Sequence, residues 1–195
     1  MTTETPASVG EILEFWFRPA HAVHWFAADA LFDQEIRRRF GPTVEAAVQS
    51  RLDDWSDQYE SWLALLILLD QFPRNLYRGE ARAWAADGKA LRIALSGLDA
   101  GLDQSLPMLQ RVFAYLPLEH AEDIRLQHRS VALFEALCAQ VAAGECPRFE
   151  GFLDYARRHC GVIGRFGRFP HRNTALGRAS TPDELVYLAQ PDAGF

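Results

Sequence analysis

Apolar residues recur along this chain at spacings of three and four, the period of a helix with one buried face, and no stretch alternates as a strand does. Ser8 and Glu11 have the spacing of a capping box and open a helix through Ile12, Leu13, Phe15 and Trp16, which Pro19 should end. Leu31, Phe32, Ile36 and Phe40 predict a second helix from Asp29 to Phe40. Gly41 and Pro42 should break it, with Pro42 starting a third that runs to Arg51. From Tyr59 to Asp70 the pattern is apolar on nearly every side, as in a central helix covered by neighbours. A helix over Glu80–Ser96 follows, ended by Gly97. Ser105 should cap the next, which carries Leu109, Val112 and Phe113 and is interrupted at Pro117. Leu118–Val141 reads as one long helix stopped by Gly144 and Pro147, and another spans Pro147–Phe166. The last begins at Thr181-Pro182-Asp183-Glu184, where a capping box coincides with proline in the first turn. The expected fold class is all-α: about eight to nine helices, paired as antiparallel hairpins in a bundle or stacked array.

Composition narrows the setting. The 195 residues are 49% hydrophobic and 24% charged, within the usual range for one folded domain, so a single domain over residues 1–195 is expected. The longest wholly apolar run, Trp62–Leu69, is too short for a bilayer, and Met1–Gly10 lacks the order of a signal peptide. No membrane association is expected. Cys138, Cys146 and Cys160 have neither paired nor metal-type spacing, which fits a reducing, cytoplasmic compartment and no cofactor.

The net charge of −6 argues against general nucleic-acid binding, which needs a broad basic surface. Its distribution is uneven. Residues 156–181 contain Arg157, Arg158, Arg165, Arg168, Arg172 and Arg178 with no acid, so this segment carries +6 and the rest −12. Either it is a solvated basic face, or it receives an anion or an acidic partner.

Three polar clusters sit on otherwise apolar faces. Asp70 shares the face of Leu66 and Ile67, and a buried carboxylate must be paired; Arg74 is its nearest partner in sequence, followed by Asn75. In the second cluster, Glu119, His120, Glu122 and Asp123 precede Gln127, and a continuous helix would put His120 and Gln127 on one apolar stripe. The acids there also suit a helix start. A single histidine without a His-x-x-x-His or Glu-x-x-His pair is no metal motif, so no metal is expected. The third cluster begins with His159 on a core face and continues into Arg165, Gly167, Arg168, Pro170, His171, Arg172 and Asn173, a turn dense in donors suited to carboxylates and phosphates. Neither a phosphate loop nor a nucleophile elbow is present.

Gln71-Phe72-Pro73-Arg74-Asn75 is echoed by Arg168-Phe169-Pro170-His171-Arg172-Asn173, each closing a predicted helix. With Tyr115-Leu116-Pro117-Leu118-Glu119-His120 and Leu176-Gly177-Arg178, these strings resemble the domain of unknown function 924 family, from Ile12-Leu13-Glu14-Phe15-Trp16-Phe17 to Ser180-Thr181. The resemblance implies a bacterial cytoplasmic protein of tetratricopeptide-like helical hairpins, and carries no activity or catalytic residue with it.

Two functions fit these residues. In the first, a small anionic molecule binds between helix ends, with Arg74, Asn75, Glu119, Gln127, Arg165, Arg168, Arg172 and Asn173 as candidate ligand-binding groups. His120, His159, His171 and Asp70 are then the candidates for hydrolase-type acid–base chemistry, a catalytic role the sequence leaves open. In the second, the helices dock a protein or peptide on an open concave surface of exposed aromatics, with Trp16, Trp25, Trp55 and Trp84 as candidates and Trp62 expected in the core, and the polar clusters only brace corners.

Overall fold

The capping box at Ser8 forms as expected: Glu11 N–H reaches Ser8 Oγ at 3.3 Å, and Ser8 N–H reaches the Glu11 carboxylate at 2.8 Å. It opens α1, Val9–Trp16, the first of nine α-helices among the described residues of this computed structural model, which are 6–191 with 193 and 194. The others are α2 (Ala30–Val48), α3 (Tyr59–Leu66), α4 (Phe72–Leu76), α5 (Asp87–Asp99), α6 (Met108–Glu119), α7 (Ile124–Cys138), α8 (Cys146–Phe166) and α9 (Pro182–Leu188). No strand occurs among the described residues, and none of their helices is long and apolar enough to cross a membrane. The chain divides into two compact units, Met1–Arg78 with Arg82–Pro107, and Gly79–Ala81 with Met108–Phe195.

The first unit is built around α3. Every residue from Trp62 to Leu69 is fully buried, which is why the run is apolar all round. Phe15 and Trp16 of α1, Phe40 of α2 and Phe72 of α4 meet as an aromatic cluster with centroid separations of 5.0–6.4 Å. Each such buried ring contributes about 1.5–3 kcal/mol by leaving water.

Three predicted breaks fail in this unit, each for a local reason. Helix α2 runs straight through Pro42. Gly41 has no Cβ to meet the proline ring, and Thr43, Val44, Ala46 and Ala47 beyond it are buried, so packing outweighs one lost hydrogen bond. After α3 the helix widens into a π turn, Ile67–Gln71, in which the Phe72 N–H reaches back to Ile67 O. Pro73 follows; its ring would crowd the carbonyl four residues earlier in a regular helix, and the wider turn relieves this. Gly97 does not end α5 but lies inside it. A Cβ there would stand 2.3 Å from Cε2 of Trp62, so the glycine lets the indole approach the helix backbone. Trp62 Nε1 in turn donates to Ile93 O at 2.9 Å.

In the second unit α7 packs against both α6 and α8. Val112, Phe113 and Leu116 of α6, Phe134 and Leu137 of α7, and Phe149, Leu153, Ala156 and Ile163 of α8 are buried. Phe169, just past α8, joins Val162 and Ile163 in the core.

The long helix expected over Leu118–Val141 is two helices. Pro117 is accommodated inside α6, which ends at Glu119, and the break falls instead at residues 120–123. Asp123 is extended and caps α7 by accepting from Arg125 N–H at 2.8 Å. A proline near a helix C-terminus removes only one internal bond, whereas the aspartate cap actively starts a new helix.

Candidate functional site

This break changes the meaning of the second polar cluster. His120 and Gln127 do not share a helix face. Gln127, fully buried in the first turns of α7, points its amide back at the end of α6: Nε2 donates to Glu119 O at 2.6 Å and Ala121 O at 2.8 Å. Helix C-termini leave carbonyls without partners, and Gln127 satisfies two of them. Its work is structural.

With α6 ended at residue 119, Glu119 and His120 project from its last turn toward α8. There His159 is buried, its Nδ1 2.9 Å from Tyr155 O and 3.1 Å from Glu119 Oε1. Both neighbours are acceptors, so the ring proton resides on Nδ1 and the lone pair on Nε2. The His120 ring lies 6.0 Å from that of His159. Glu119, His120 and His159 each bring a possible ligand atom within 4.8 Å of the other two. Burial, above all, holds His159 well below the ordinary imidazole range; the charges of His120, Arg172 and His171 push the same way, against the Tyr155 hydrogen bond.

The turn after α8 supplies the other side. Gly167 adopts the left-handed conformation that closes the helix, with φ of 69°, and the chain re-enters the core at Phe169. Around the Phe169 ring lie His159 at 5.5 Å, His171 at 5.7 Å and the Arg172 guanidinium at 4.5 Å. His120 and His171 are half-buried, while Glu119, His159 and Arg172 are buried.

Most of the remaining basic groups in this turn are already matched by acids. Arg168 makes two bonds to Glu184, at 2.6 and 2.8 Å, which together with the Thr181 N–H hold that carboxyl down to about 2. Glu184 also completes the capping box of α9. Asn173 sits in the same network, donating to Ser180 Oγ at 3.1 Å and accepting from Arg178 Nε at 2.9 Å. Arg178 spans Glu122 with bonds of 2.7 and 3.0 Å, and Glu122 accepts the Phe169 N–H at 2.8 Å. This arginine–glutamate pair ties the turn to the α6–α7 junction; the basic segment contains Arg178, but nothing in the sequence pairs it with an acid more than fifty residues earlier. Arg165 is exposed and stacks on Phe166 at 4.7 Å.

The first cluster belongs to the other unit. Asp70 is buried on the π turn, accepts from Gln71 Nε2 and lies 3.3 Å from Arg74 Nη1. Arg74 in turn makes two 3.0 Å bonds to Asp87, and Asn75 donates to Asp33 at 2.8 Å. These are the ties of a braced corner.

Fold and site together define an all-helical protein whose second unit gathers a buried imidazole–carboxylate pair, two further histidines and an arginine at the ends of two helices. The chain belongs to DUF924, a family of bacterial proteins of unknown function, whose model matches residues 12–192. It is also similar to a solved protein of unknown function from Agrobacterium tumefaciens, ATU0120, with 41% identity and a TM-score of 0.83 over 93% of this chain and 96% of that one. No curated protein matches the chain.

Proposed function

We propose that this protein is a cytoplasmic binder of a small anionic metabolite, held in the second unit beside Phe169, with hydrolase-type chemistry as the activity to seek. The observation that carries the reading is the convergence of His159, His171 and Arg172 on one buried ring, with His120 adjoining His159. Three imidazoles and a guanidinium in one partly dry place favour an anion, because charge-assisted hydrogen bonds strengthen where water is scarce. Arg172 is the anion anchor, and His120 and His171, both half-buried, are the groups a bound molecule reaches for proton transfer. Arg165, Arg168, Asn173 and Gln127 leave the expected ligand set, since each serves the fold or faces solvent. The cytoplasmic placement rests on three free cysteines.

The peptide-docking alternative draws less support. Of the tryptophans that could line such a surface, Trp16 and Trp25 are core residues and Trp55 and Trp84 are half-buried, while Trp62 lies in the core as expected.

The test is a thermal-shift series with inorganic phosphate and small di- and tricarboxylates in EDTA-containing buffer. Binding to the folded state raises Tm by mass action. A saturable rise in the wild type that disappears in Arg172→Gln and His171→Gln, but survives in Arg168→Ala, supports the site. No rise with any of these anions, or one that persists in Arg172→Gln, overturns it.

A further inference from the structure

We propose that His21 and His24, in the first unit, form a binding site for one first-row divalent cation that prefers imidazole: nickel, copper or zinc. Both lie in the 3-10 turn Pro19–His24 that follows α1. Such a turn has three residues per turn and rises about 2 Å per residue, so residues three apart stand one above the other, about 6 Å apart. That is the spacing of residues four apart on an α-helix, the positions from which helical histidine pairs hold zinc. The two rings share a floor, since Phe32 meets His21 edge-on at 5.2 Å and His24 face to face at 4.9 Å. Their own centroids are 6.5 Å apart. Imidazoles that share an ion at about 2.1 Å stand about 4.5–6.5 Å apart by centroid, from right-angled to opposed bonds, so a small side-chain rotation closes the pair.

Each ring is already turned for coordination. Metal-bound histidines characteristically donate one ring N–H to a backbone carbonyl or a carboxylate, which sets the tautomer and leaves the other nitrogen for the ion. His21 Nδ1 lies 2.7 Å from Phe15 O, and His24 Nδ1 lies 3.1 Å from Asp29 Oδ2. Both neighbours are acceptors, so both protons sit on Nδ1 and both Nε2 atoms carry the lone pair. Neither Nε2 has a hydrogen-bond partner among the described residues. Asp29 contacts only the Nδ1 side of His24 and is itself fixed: its Oδ1 accepts the Leu31 and Phe32 N–H groups at the start of α2, at 2.9 and 3.1 Å. The Phe32 N–H, above all, holds this carboxyl below the usual carboxylate range. Both histidines are half-buried, so an ion reaches them from solvent.

No third His, Cys, Asp or Glu stands with the pair among the described residues, so water or a donor atom of a bound molecule fills the remaining positions. Affinity is therefore of about micromolar order. It rises from cobalt to nickel to copper, as nitrogen donors dictate, and magnesium and calcium, which take oxygen ligands, do not compete. The site does not rest on the anion reading, because none of its groups belongs to the second unit.

The experiment uses the untagged full chain, stripped with EDTA and exchanged into chelator-free buffer, titrated calorimetrically with nickel chloride. The expected result is one ion per chain, with affinity about tenfold or more lower in His21→Gln and in His24→Gln and unchanged in His120→Ala. Far-UV circular dichroism confirms that each variant is folded; both positions are half-buried, so the changes leave the core intact. With zinc chloride, long-range proton–nitrogen NMR of the imidazoles should show the Nε2 signals of His21 and His24 moving while each Nδ1 keeps its proton. Three results overturn the proposal. The first is no nickel uptake at micromolar concentration. The second is unchanged affinity in either folded His21→Gln or folded His24→Gln. The third is capture elsewhere, seen as binding lost in His120→Ala, a thiolate-to-nickel charge-transfer band, or zinc shifts confined to other histidines. The anion series, run in EDTA, stands or falls separately from each of these outcomes.

Discussion

Nδ1 of His159 lies 3.1 Å from Oε1 of Glu119, with both side chains buried and carried by different helices. This contact joins the end of α6 to α8, at a ring whose burial makes its protonation sensitive to folding. In the folded protein burial keeps the ring neutral, and His120, Arg172 and His171 add to the effect. The unfolded chain takes up a proton at this residue near the ordinary value of about 6.5, while the native state does so only at lower pH. Stability is therefore full above about pH 6.5 and declines as the pH falls below it. Urea midpoints at pH 7.5 and 5.5 should show this decline in the wild type and a shallower one in His159→Asn, whose amide can still donate to Tyr155 O. Equal declines would remove His159 as the cause.

Glu184 sets a second, more acidic window. Its carboxyl is held from 4.5 down to about 2, first by Arg168 and then by the Thr181 N–H. The group contributes stability above pH 4.5, and that contribution is lost as the pH falls from 4.5 toward 2. Glu184→Gln should lower stability at pH 7 and flatten this acid limb, measured by circular dichroism from pH 5 to pH 2. Arg168→Ala should likewise destabilise while leaving any anion effect intact.

Gly97→Ala separates two opposing effects. In an exposed helix interior the change would stabilise by about 1 kcal/mol through helix propensity. Here the new Cβ would meet Trp62 at 2.3 Å, and the indole is fully buried and bonded to Ile93 O. Overpacking a ring that cannot yield costs about 1–3 kcal/mol, so net destabilisation is expected in urea unfolding.

Gln127→Leu removes the donor for Glu119 O and Ala121 O while keeping much of the volume. Leaving buried acceptors unmet costs about 1–3 kcal/mol, so the urea midpoint should fall. A variant as stable as the wild type would show that these carbonyls find other partners.

The all-helical class, the apolar centre at Trp62–Leu69 and both capping boxes were legible because they are local: a 3.6-residue period and a side chain three residues from its backbone target need no distant partner. The breaks were harder. Gly97 has the look of a helix stop, but it makes room for Trp62; in the same way, Pro42 passes inside a helix because Gly41 precedes it and buried residues follow. One misplaced boundary then misread the site, since ending α6 at Glu119 turns Gln127 into a cap and frees His120 to face His159.

The sequence by itself determined which residue types were available: the histidines, the arginine-rich turn without acids, and the carboxylates after Pro117. Only the tertiary structure decided their partners. Arg168 went to Glu184 and Arg178 to Glu122 in the basic turn, Arg74 went to Asp87 in the first unit, and His159, His171 and Arg172 gathered around Phe169, with His120 and Glu119 beside His159. The physical reason is that helical periodicity is written in neighbours three and four residues apart, whereas charge pairing is settled by whichever helix ends packing brings within about 3 Å.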